Sequence, residues 1–487
     1  MSPTDFSHGV HYTPANIARS KVIPVHDLES FGITYIRLQS VDLINNVRYR
    51  VIPITYFKKL LSSARPGITV AKAALGLVYL NMAEGFSAIG EYLYVADLDT
   101  LRICPHEEGH ATVMGYFQEK APIAGSKVDV DICPRSILRR IEEWINREAA
   151  SHSIQFLVGI EHEFILLKET SPVPIASNIH NWSRSEALRT GSVESKIMRE
   201  ISDALLGAGV EVQMYLPEAA PGQYEVVTGP LTPLACADAA IFTRETISDI
   251  AAKHGLRATF APRVYMDSCG SSSHVHLSVH STSSSSEAAS PGRLTATEES
   301  FLSTLLEHLP SITHLTLPIP ASYKRVQDGA WSGGTYVCWG TENREAPIRF
   351  TNAHSRTSRN FEMRFVDGTS SPYLALAAII GAGLEGIKTK AKLMLGDCSY
   401  LPSKPDVLNT VSAAQMNEED RKKLGITKRL PLSWEEARDK FKSDPMMVKL
   451  FGEEFVEKYL SVNKVLAEAL AQDKDEAAEL TRLVEFY

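Results

Sequence analysis

A length of 487 residues exceeds what one hydrophobic core usually organises, so two or three domains are expected. The composition is 44% hydrophobic and 22% charged with a net charge of -8, which is typical of a globular protein and argues against nucleic-acid binding. Six cysteines without a Cys-x-x-Cys pair indicate neither a disulfide framework nor a zinc site, and they suit a reducing cytoplasm. The polar N-terminus MSPTDFSHGVHY lacks the apolar core of a signal peptide, and no apolar run is long enough to cross a membrane.

The first part of the chain has the pattern of a small β-rich domain. Residues 1–26 are predicted to form a flexible N-terminal arm. The stretch ITYIRLQSVDLINNVRYRVIPI is rich in β-branched and aromatic residues, and it is broken at Asn45 and Asn46, which is a hairpin signal. Further strand-like pieces, YLYVADLD and ATVMGYFQ, complete a domain predicted over 27–125.

A second, larger domain of mixed helices and strands is predicted over 130–487. In CPRSILRRIEEWINREA, apolar residues recur at helical spacing after Pro134, and proline suits a first helical turn. The segment ACADAAIFTRETISDIAAKHG predicts another helix, which ends at Gly255. A serine-rich segment over 281–298 is predicted to be a low-complexity loop within this domain.

Polar and apolar residues alternate in the stretch GSSSHVHLSVH, residues 270–280. In a strand, His274, His276 and Ser278 would share one face, while Val275 and Leu277 would lie on the other. For this stretch alone, a half-exposed strand with its polar face in water is the simpler explanation. The alternative is that two imidazoles and a hydroxyl line a site.

Five glutamates lie on segments that otherwise have the pattern of buried strands: Glu161 and Glu163 in VGIEHEFILL, Glu218 and Glu225 in YLPEAAPGQYEVV, and Glu362 in NFEMRFVDG. Each pair alone also fits an exposed strand face. Gathered with an imidazole, these carboxylates would repel one another unless cations lay between them. Mg²⁺ and Mn²⁺ prefer oxygen-rich ligand sets, and Mn²⁺ tolerates an imidazole. The set therefore predicts a paired metal site, which is typical of phosphoryl transfer.

Four arginines follow in the same part of the chain: Arg325 in SYKRV, Arg344 and Arg349 in TENREAPIRF, and Arg364 in EMRF. Planar guanidinium groups bind carboxylate and phosphate oxygens with paired hydrogen bonds. Metals beside arginines indicate a site where nucleotide phosphates meet a carboxylate. The sequence has no Gly-x-x-x-x-Gly-Lys loop, so it is not a P-loop enzyme.

In their order, these segments resemble the glutamine synthetase family, in its type I-like branch of fungal glutamine synthetase-like proteins and γ-glutamyl–amine ligases. The resemblance extends from about residue 30 to the C-terminus through EHEF, EAAPGQYE, HGLRATFAP, GSSSHVHLS, SYKRV, ENREAPIR, FEMRFVD and SPYLALAAIIGAGLEGI. It implies an α+β fold with a small β-grasp N-terminal domain and a large catalytic domain whose curved antiparallel sheet lines a funnel-shaped site. It also implies a homo-oligomer of stacked rings, resembling a dodecamer, with active sites between subunits.

The resemblance also assigns a role to each matching residue. The first metal ion would be held by Glu163, Glu218 and Glu225, and the second by Glu161, His274 and Glu362. The nucleotide would be bound by His276, Ser278, Arg344 and Arg349. The acid substrate would be bound by Gly270, Arg325 and Arg364, and the catalytic arginines would be Arg325, Arg344 and Arg364.

By resemblance, the reaction uses ATP and two or more Mg²⁺ (or Mn²⁺) ions per site. ATP phosphorylates a carboxylate to an acyl phosphate, and an amine then displaces phosphate to give an amide. The partners implied are small molecules, glutamate and an amine, with neither nucleic acid nor a membrane involved.

The amine-receiving part of the pattern departs from the ammonia-using members of the family. Trp331 stands in the substrate site where those members carry a glutamate, Cys269 replaces an asparagine, and the region near 82–85 lacks an aspartate. A tryptophan favours an apolar or larger amine over ammonium, with a cation–π contact if the amine is charged. We therefore predict an ATP-dependent ligase that forms a γ-glutamyl amide with an organic amine. The alternatives are an ammonia-dependent glutamine synthetase, a ligase for another acid, and a catalytically inactive structural or regulatory protein.

Overall fold

The structure of the protein is a computed structural model. It describes residues 7–17, 21–122, 128–152, 154–281, 292–330, 332–355, 357–402, 404–408, 411–473 and 475–487. Trp331 and residues 282–291 of the predicted low-complexity loop lie outside the described residues.

The N-terminal part consists of short strands around one helix. In chain order these are β1 (Tyr35–Val41), β2 (Val47–Pro53), α1 (Ile54–Leu60), β3 (Gly67–Ala71), β4 (Leu77–Val78), β5 (Asn81–Met82), β6 (Glu91–Ala96), β7 (Arg102–Ile103), β8 (His110–Val113) and β9 (Gly115–Glu119). They form a four-stranded sheet of order β2-β1-β8-β7, a three-stranded sheet of order β3-β6-β9 and the hairpin β4-β5.

The hairpin predicted at Asn45 and Asn46 is confirmed, because β1 and β2 pair antiparallel across this turn. Asn45 has a left-handed φ of 64°, which asparagine tolerates better than most residues. The carboxylate of Asp42 accepts hydrogen bonds from the backbone N–H groups of Ile44 and Asn46 at 3.1 and 2.9 Å. The side chain of Asn45 donates to the carbonyl of Ser370 at 2.7 Å and so ties the turn to the larger part of the molecule.

The larger part alternates helices and strands. In chain order these are α2 (Pro134–His152), β10 (Ile154–Glu169), β11 (Ile175–Ala176), α3 (Val193–Gly207), β12 (Val212–Pro217), β13 (Gln223–Thr228), α4 (Pro233–Lys253), β14 (Arg257–Thr259), β15 (Val275–Ser281), α5 (Ala296–Thr316), α6 (Pro320–Arg325), β16 (Trp339–Thr341), β17 (Ile348–Thr351), β18 (Asn360–Met363), α7 (Pro372–Thr389), β19 (Tyr400–Leu401), β20 (Lys404–Leu408), α8 (Glu418–Lys423), α9 (Trp434–Ser443), α10 (Pro445–Phe451), α11 (Glu453–Leu470) and α12 (Glu476–Phe486). The helices predicted after Pro134 and before Gly255 are both present.

One nine-stranded sheet organises this larger part. Its main path runs β12-β13-β10-β15-β18-β17-β16, with β11 and β14 paired to β10. The pairs are antiparallel except for β16 and β17, which are parallel, so the sheet is mixed rather than wholly antiparallel. In β10, Ile160, His162 and Phe164 are buried on one face, and Glu161 and Glu163 lie on the other, as the alternation predicts.

Two long helices, α5 and α7, pack together behind this sheet. Phe301 of α5 stacks on Phe361 of β18, with ring centroids 5.9 Å apart. A Cβ atom at Gly383 of α7 would lie 2.1 Å from the ring of Phe301, and one at Gly386 would lie 2.1 Å from the backbone of Ser300. The two helices can therefore pack this closely only because α7 carries glycines at the contact. Although α7 is apolar and buried, no helix in the described ranges has the length and apolar character needed to cross a membrane.

The architecture is α+β, as predicted, with an N-terminal β-rich part and a larger part built on one sheet. Two predicted segments differ from expectation. Strand β15 continues to Ser281 and α5 already begins at Ala296, so the segment between them is shorter than the predicted 281–298 loop. Within the predicted flexible arm, Ile23 is buried and its backbone N–H donates to the carbonyl of Leu101 at 2.8 Å, because that segment packs on the N-terminal core.

Candidate active site

One face of the nine-stranded sheet lines a cavity of about 1830 Å³. Its lining includes most of the residues predicted from the sequence: Glu161, Glu163, Glu218, Glu225, Gly270, His274, His276, Ser278, Arg325, Arg344 and Arg364. Glu362 and Arg349 lie in the wall behind this surface, where they form an ion pair with each other. The volume exceeds that of a usual single-ligand pocket, so several small substrates could bind together.

The register of the strands brings the acidic residues together. Glu163 of β10 lies directly opposite Glu225 of β13. On the other side, His276 of β15 lies opposite Glu362 of β18, which in turn lies opposite Arg349 of β17. Residues from distant parts of the sequence therefore meet on one face, because paired strands align side chains with the same orientation.

His276 of β15 and His274, which directly precedes this strand, contact the same carboxylate. The Nδ1 atom of His274 lies 2.9 Å from Glu161, 3.6 Å from Glu362 and 3.9 Å from Glu163. The Nε2 atom of His276 lies 3.0 Å from Glu161, and its Nδ1 atom lies 2.8 Å from Asn360. Glu161 is thus the carboxylate shared by two imidazoles.

The five glutamates of the site, here called the carboxylate cluster, differ in the direction in which their surroundings shift their pKa values. They are Glu161, Glu163, Glu218, Glu225 and Glu362. Burial and the charges of Glu161 and Glu163 raise the pKa of Glu225 to about 10, and burial with the charge of Glu163 raises the pKa of Glu218 to about 7. Burial alone would also raise the pKa of Glu362, but the charges of Arg364 and His274 outweigh it and hold this pKa at about 2. The cluster therefore contains more carboxyl groups than its own cations can neutralise.

The pKa values of the two imidazoles, His274 and His276, are also shifted in opposite directions. Burial lowers the pKa of His274 to about 4, so this ring is neutral and able to act as a metal ligand. Burial would lower the pKa of His276 too, but the adjacent Glu161 carboxylate outweighs it and raises this pKa to about 9. Burial opposes ionisation of Glu161 as well, yet His276 and His274 hold the pKa of Glu161 well below its usual range.

A hard divalent cation fits this donor set. Glu161, His276 and Glu362 each offer one ligand atom, and these three atoms lie within 4.8 Å of one another. The family resemblance implies that His274 belongs to this group and that His276 binds the nucleotide, whereas in the structure both rings contact Glu161. Carboxylate oxygens with one imidazole suit Mg²⁺ or Mn²⁺, and a bound cation would neutralise the carboxyl groups that burial and repulsion otherwise keep protonated.

Two polar residues that the sequence analysis missed support the cluster. The backbone N–H of Ser272 donates to Glu163 at 3.0 Å, and its hydroxyl donates to the same carboxylate. The Nε2 atom of Gln223 donates to Glu163 at 3.1 Å and also lies 3.1 Å from the carbonyl of Gly270. Ser272 precedes His274 by two positions, and Gln223 precedes Glu225 by two, so the alternation used to find the ligands could also have found these residues.

Of the four arginines named from the sequence, Arg325, Arg344 and Arg364 line the cavity and Arg349 pairs with Glu362 behind it. Arg364 donates to Glu362, and Arg349 donates at 2.9 Å to both Glu362 and Glu342. Arg325 is buried, with Nη2 3.1 Å from the carbonyl of Arg364. Its Nη1 atom is buried without a hydrogen-bond partner among the described residues, which fits an anionic oxygen of a ligand.

The family model described as glutamine synthetase, catalytic domain, matches residues 131–480. The chain belongs to the glutamine synthetase family. Members of this family are ATP-dependent carbon–nitrogen ligases, so the prediction of an enzyme of this class is confirmed at the level of the family.

Several curated members of the glutamine synthetase family are similar over most of the chain. Protein fluG of Emericella nidulans is 31% identical over 98% of this chain, which spans 51%, or about half, of that relative. The gamma-glutamylpolyamine synthetase GlnA3 of Streptomyces coelicolor is 30% identical over 90% of each chain. A glutamine synthetase of Methanocaldococcus jannaschii is 30% identical over 89% of this chain and 91% of its own length.

Solved structures show the same fold. A GmaS/ADP complex superposes with a TM-score of 0.75 at 21% identity, covering 95% of this chain and 99% of that one. A structure described as a novel glutamine synthase homolog superposes with a TM-score of 0.74 at 26% identity, covering 93% and 99%. The predicted glutamine synthetase fold is therefore confirmed.

Loop residues also contribute to the lining of this glutamine synthetase cavity. Trp182 lines the cavity and is 58% exposed, and its backbone N–H donates to the carbonyl of Glu218 at 3.0 Å. Cys269 and Gly270, which lie a few residues before His274 in the sequence, also line the cavity. No local sequence pattern indicates Trp182, because nothing in its loop shows that the backbone returns to the sheet.

Proposed function

We propose that this protein is an ATP-dependent ligase that joins the γ-carboxylate of glutamate to an organic amine through an acyl-phosphate intermediate. The observation that carries the proposal is the composition of one cavity. A buried cluster of carboxylates and arginines lies in it together with Trp182, a largely exposed residue whose backbone is hydrogen-bonded to that of Glu218. The charged cluster suits phosphoryl transfer, and the indole suits an amine that carries a carbon skeleton.

Two groups of ligands would hold the divalent cations. Glu163, Glu218 and Glu225 form the first, and Glu161 and Glu362 with an imidazole form the second. The ions would supply positive charge to the phosphate oxygens during transfer. The hydrogen bonds that Glu163 accepts from Ser272 and Gln223 fix the orientation of this carboxylate towards the cluster.

The acid and the phosphoryl group would be bound by arginines. Arg325 would bind the acid through its free Nη1 atom, and Arg364 and Arg344 would neutralise the negative charge on the transferring group. An oxygen of the γ-carboxylate attacks the terminal phosphorus of ATP, and the bond from this phosphorus to the ADP oxygen breaks. The amine nitrogen then attacks the acyl carbon, inorganic phosphate leaves, and the nitrogen loses a proton.

The relatives support both an organic amine and ammonia as nitrogen donor, because one is named a gamma-glutamylpolyamine synthetase and another a glutamine synthetase. Trp182 favours the organic amine, since an indole offers an apolar face and a cation–π contact. Ammonium has no carbon skeleton that could use the apolar contact.

The test is an amine panel. The protein is incubated with ATP, Mg²⁺ and glutamate, and ammonium, ethanolamine, putrescine, spermidine or 2-phenylethylamine is added while phosphate release is followed and the product is identified by mass spectrometry. We expect kcat/KM for at least one organic amine to exceed that for ammonium. Ammonium as the best substrate would overturn the proposal in favour of a glutamine synthetase, and no phosphate release with any amine would favour an inactive protein.

We also propose that the protein works as a homo-oligomer. Leu80, between β4 and β5, is 94% exposed, and Ile89 in the following loop is 85% exposed. Apolar side chains so fully exposed on neighbouring loops fit a surface that a second subunit covers. Light scattering coupled to gel filtration checks this: a monomer at micromolar concentration would contradict it.

A further inference from the structure

The N-terminal residues 8–13, here called the N-terminal strap, are fixed at one end to the loop between β17 and β18. The backbone N–H of His8 donates to Ser355 Oγ at 3.1 Å. The carbonyl oxygen of His8 accepts from Ser355 Oγ at 2.8 Å and from Ser358 Oγ at 2.5 Å. Gly9 follows with a φ of 78°, and a Cβ atom there would lie 2.9 Å from Ser358 Oγ. The conformation and the contact both favour glycine at this position.

The other end of the strap is fixed to the edge of the sheet. The hydroxyl of Tyr12 donates to Glu211 and accepts from Gln213 Nε2 at 2.9 Å. Glu211 directly precedes β12, and β12 is separated from β18 by β13, β10 and β15. Because its two ends are attached to opposite sides of the cavity, the strap crosses the cavity over the ends of these three strands.

The strap lies at the end of the cavity that is far from the carboxylate cluster. Residues 9–13 line the cavity together with Ser278 and His280 at the end of β15. Burial, and to a lesser degree the charge of His11, lower the pKa of His280 to about 4, which places His11 close to this strand end. The four steps along the strand from His276 to His280 span about 13 Å, a distance comparable to the length of a nucleotide from its terminal phosphate to its base.

We propose that the N-terminal strap forms the outer wall of the nucleotide site and holds the ribose and base of ATP against β15. This rests on the proposed function, which puts the phosphates of ATP at the carboxylate cluster and so directs the base towards Ser278. Tyr12 and His11 bring aromatic and hydrogen-bonding groups to that end of the cavity. The nucleotide then binds between the strap and the sheet, and both attachments of the strap strengthen its binding.

The strap is tested with point variants of the full chain. Gly9→Val introduces a side chain at a left-handed φ and against Ser358, so it detaches the first end. Tyr12→Phe removes the hydroxyl that joins the second end to Glu211 and Gln213. We expect the Kd for Mg·ADP, measured by calorimetry without acid or amine, to rise about five-fold or more in Gly9→Val and about two-fold in Tyr12→Phe.

Ser30→Ala is the matched control. Among the described residues, Ser30 Oγ bonds only its own turn at the carbonyl of Asp27, outside the cavity, so this variant leaves the Kd unchanged. Hydrogen exchange in the full-length wild type provides a second measurement, in which Mg·ADP slows exchange of the amides of residues 8–13. Unchanged exchange, an unchanged Kd in Gly9→Val, or tighter ADP binding in that variant would overturn the inference, the last result showing that the strap blocks the site instead.

Failure of the proposed function gives a different pattern. A full chain that binds Mg·ADP under the strap but makes no amide with any amine would contradict the ligase proposal and leave this inference standing. A full chain that binds no Mg·ADP would overturn the inference itself.

Discussion

Two sets of residues around the cavity, here called the charged side and the amine side, are built on different kinds of structure. The carboxylates and histidines of the charged side lie on the paired strands β10, β13, β15 and β18 or directly next to the end of a strand. The amine side, as we propose it from the described residues, consists of Trp182 and Cys269 on loops. A change on a strand disturbs the neighbouring pairs, whereas a loop residue can be exchanged while the sheet stays intact. This difference predicts that enzymes with this sheet share the phosphoryl-transfer chemistry and differ in the nitrogen donor that they use.

The largest effect on activity is expected when Glu362 on the charged side is replaced. Glu362→Gln removes a carboxylate of the carboxylate cluster and leaves Arg349 and Arg364 without their shared buried partner. Activity should fall by at least ~100-fold, since even the loss of a group that supports a metal ligand costs about 10–100-fold. The free energy of unfolding should fall by about 3 kcal/mol, because an unpaired charge remains buried. Phosphate release and denaturant unfolding measure the two effects.

Glu342→Gln is the matched control for this variant. Glu342 pairs with Arg349 at the same distance of 2.9 Å, but its side chain is 41% exposed and lies outside the group of metal-ligand atoms. Its replacement should change the free energy of unfolding by less than about 1 kcal/mol and leave metal affinity intact. Near-normal turnover of Glu362→Gln would contradict the assignment of the carboxylate cluster.

The second prediction concerns Gln223, which supports the charged side but does not line the cavity. Gln223→Ala removes the amide that holds Glu163 and the carbonyl of Gly270 together. We expect the affinity for Mn²⁺ to fall about 10–100-fold, because Glu163 loses a donor that orients it. Ser271→Ala, which removes another partner of Gln223 but none of Glu163, is the control and should have a much smaller effect. Equal Mn²⁺ affinities, measured by calorimetry, would count against this positioning role.

The residues of the charged side were predictable from the sequence to a large extent. The period-two alternation correctly predicted the shared face of Glu161 and Glu163, and it also marks Gln223 and Ser272, which went unused. The sequence could not show the register between strands, which decides that Glu225 lies opposite Glu163 and Glu362 opposite His276. For this reason the distribution of the two histidines between metal and nucleotide was inferred from resemblance alone.

The third prediction concerns the amine side. Trp182→Ala removes an aromatic side chain from the cavity lining, so KM for the organic amine should rise about ten-fold, as expected for an aromatic contact of about 1–1.5 kcal/mol. KM for ATP and for the acid should stay within about two-fold, because the strands remain intact. Ile179→Ala is the matched control, since Ile179 lies in the same loop and is 85% exposed but does not line the cavity. Steady-state kinetics with one amine varied at a time checks both variants, and equal effects on all three substrates would contradict a role in amine binding.

The residues of the amine side were much less predictable from the sequence. The position of Trp182 depends on a backbone hydrogen bond to Glu218, which belongs to a different segment and leaves no trace in local periodicity. The N-terminal strap was missed for a similar reason, since the low hydrophobicity of residues 1–26 predicts flexibility. The hydrogen bonds from His8 to Ser355 and from Tyr12 to Glu211 join residues 347 and 199 positions apart, so no local pattern indicates them.

The smallest expected effect concerns Trp331, whose role is predicted from the sequence alone. Trp331→Glu restores the carboxylate that ammonia-using relatives carry, so the ratio of kcat/KM for ammonium to that for an organic amine should rise about five-fold, or about 1 kcal/mol. Trp331→Gln is the control, because it removes the aromatic ring without adding charge. A similar shift in both variants would mean that loss of the ring, rather than gain of a carboxylate, admits ammonium. No shift in either would place Trp331 outside the amine site and leave Trp182 as the aromatic residue that selects the amine.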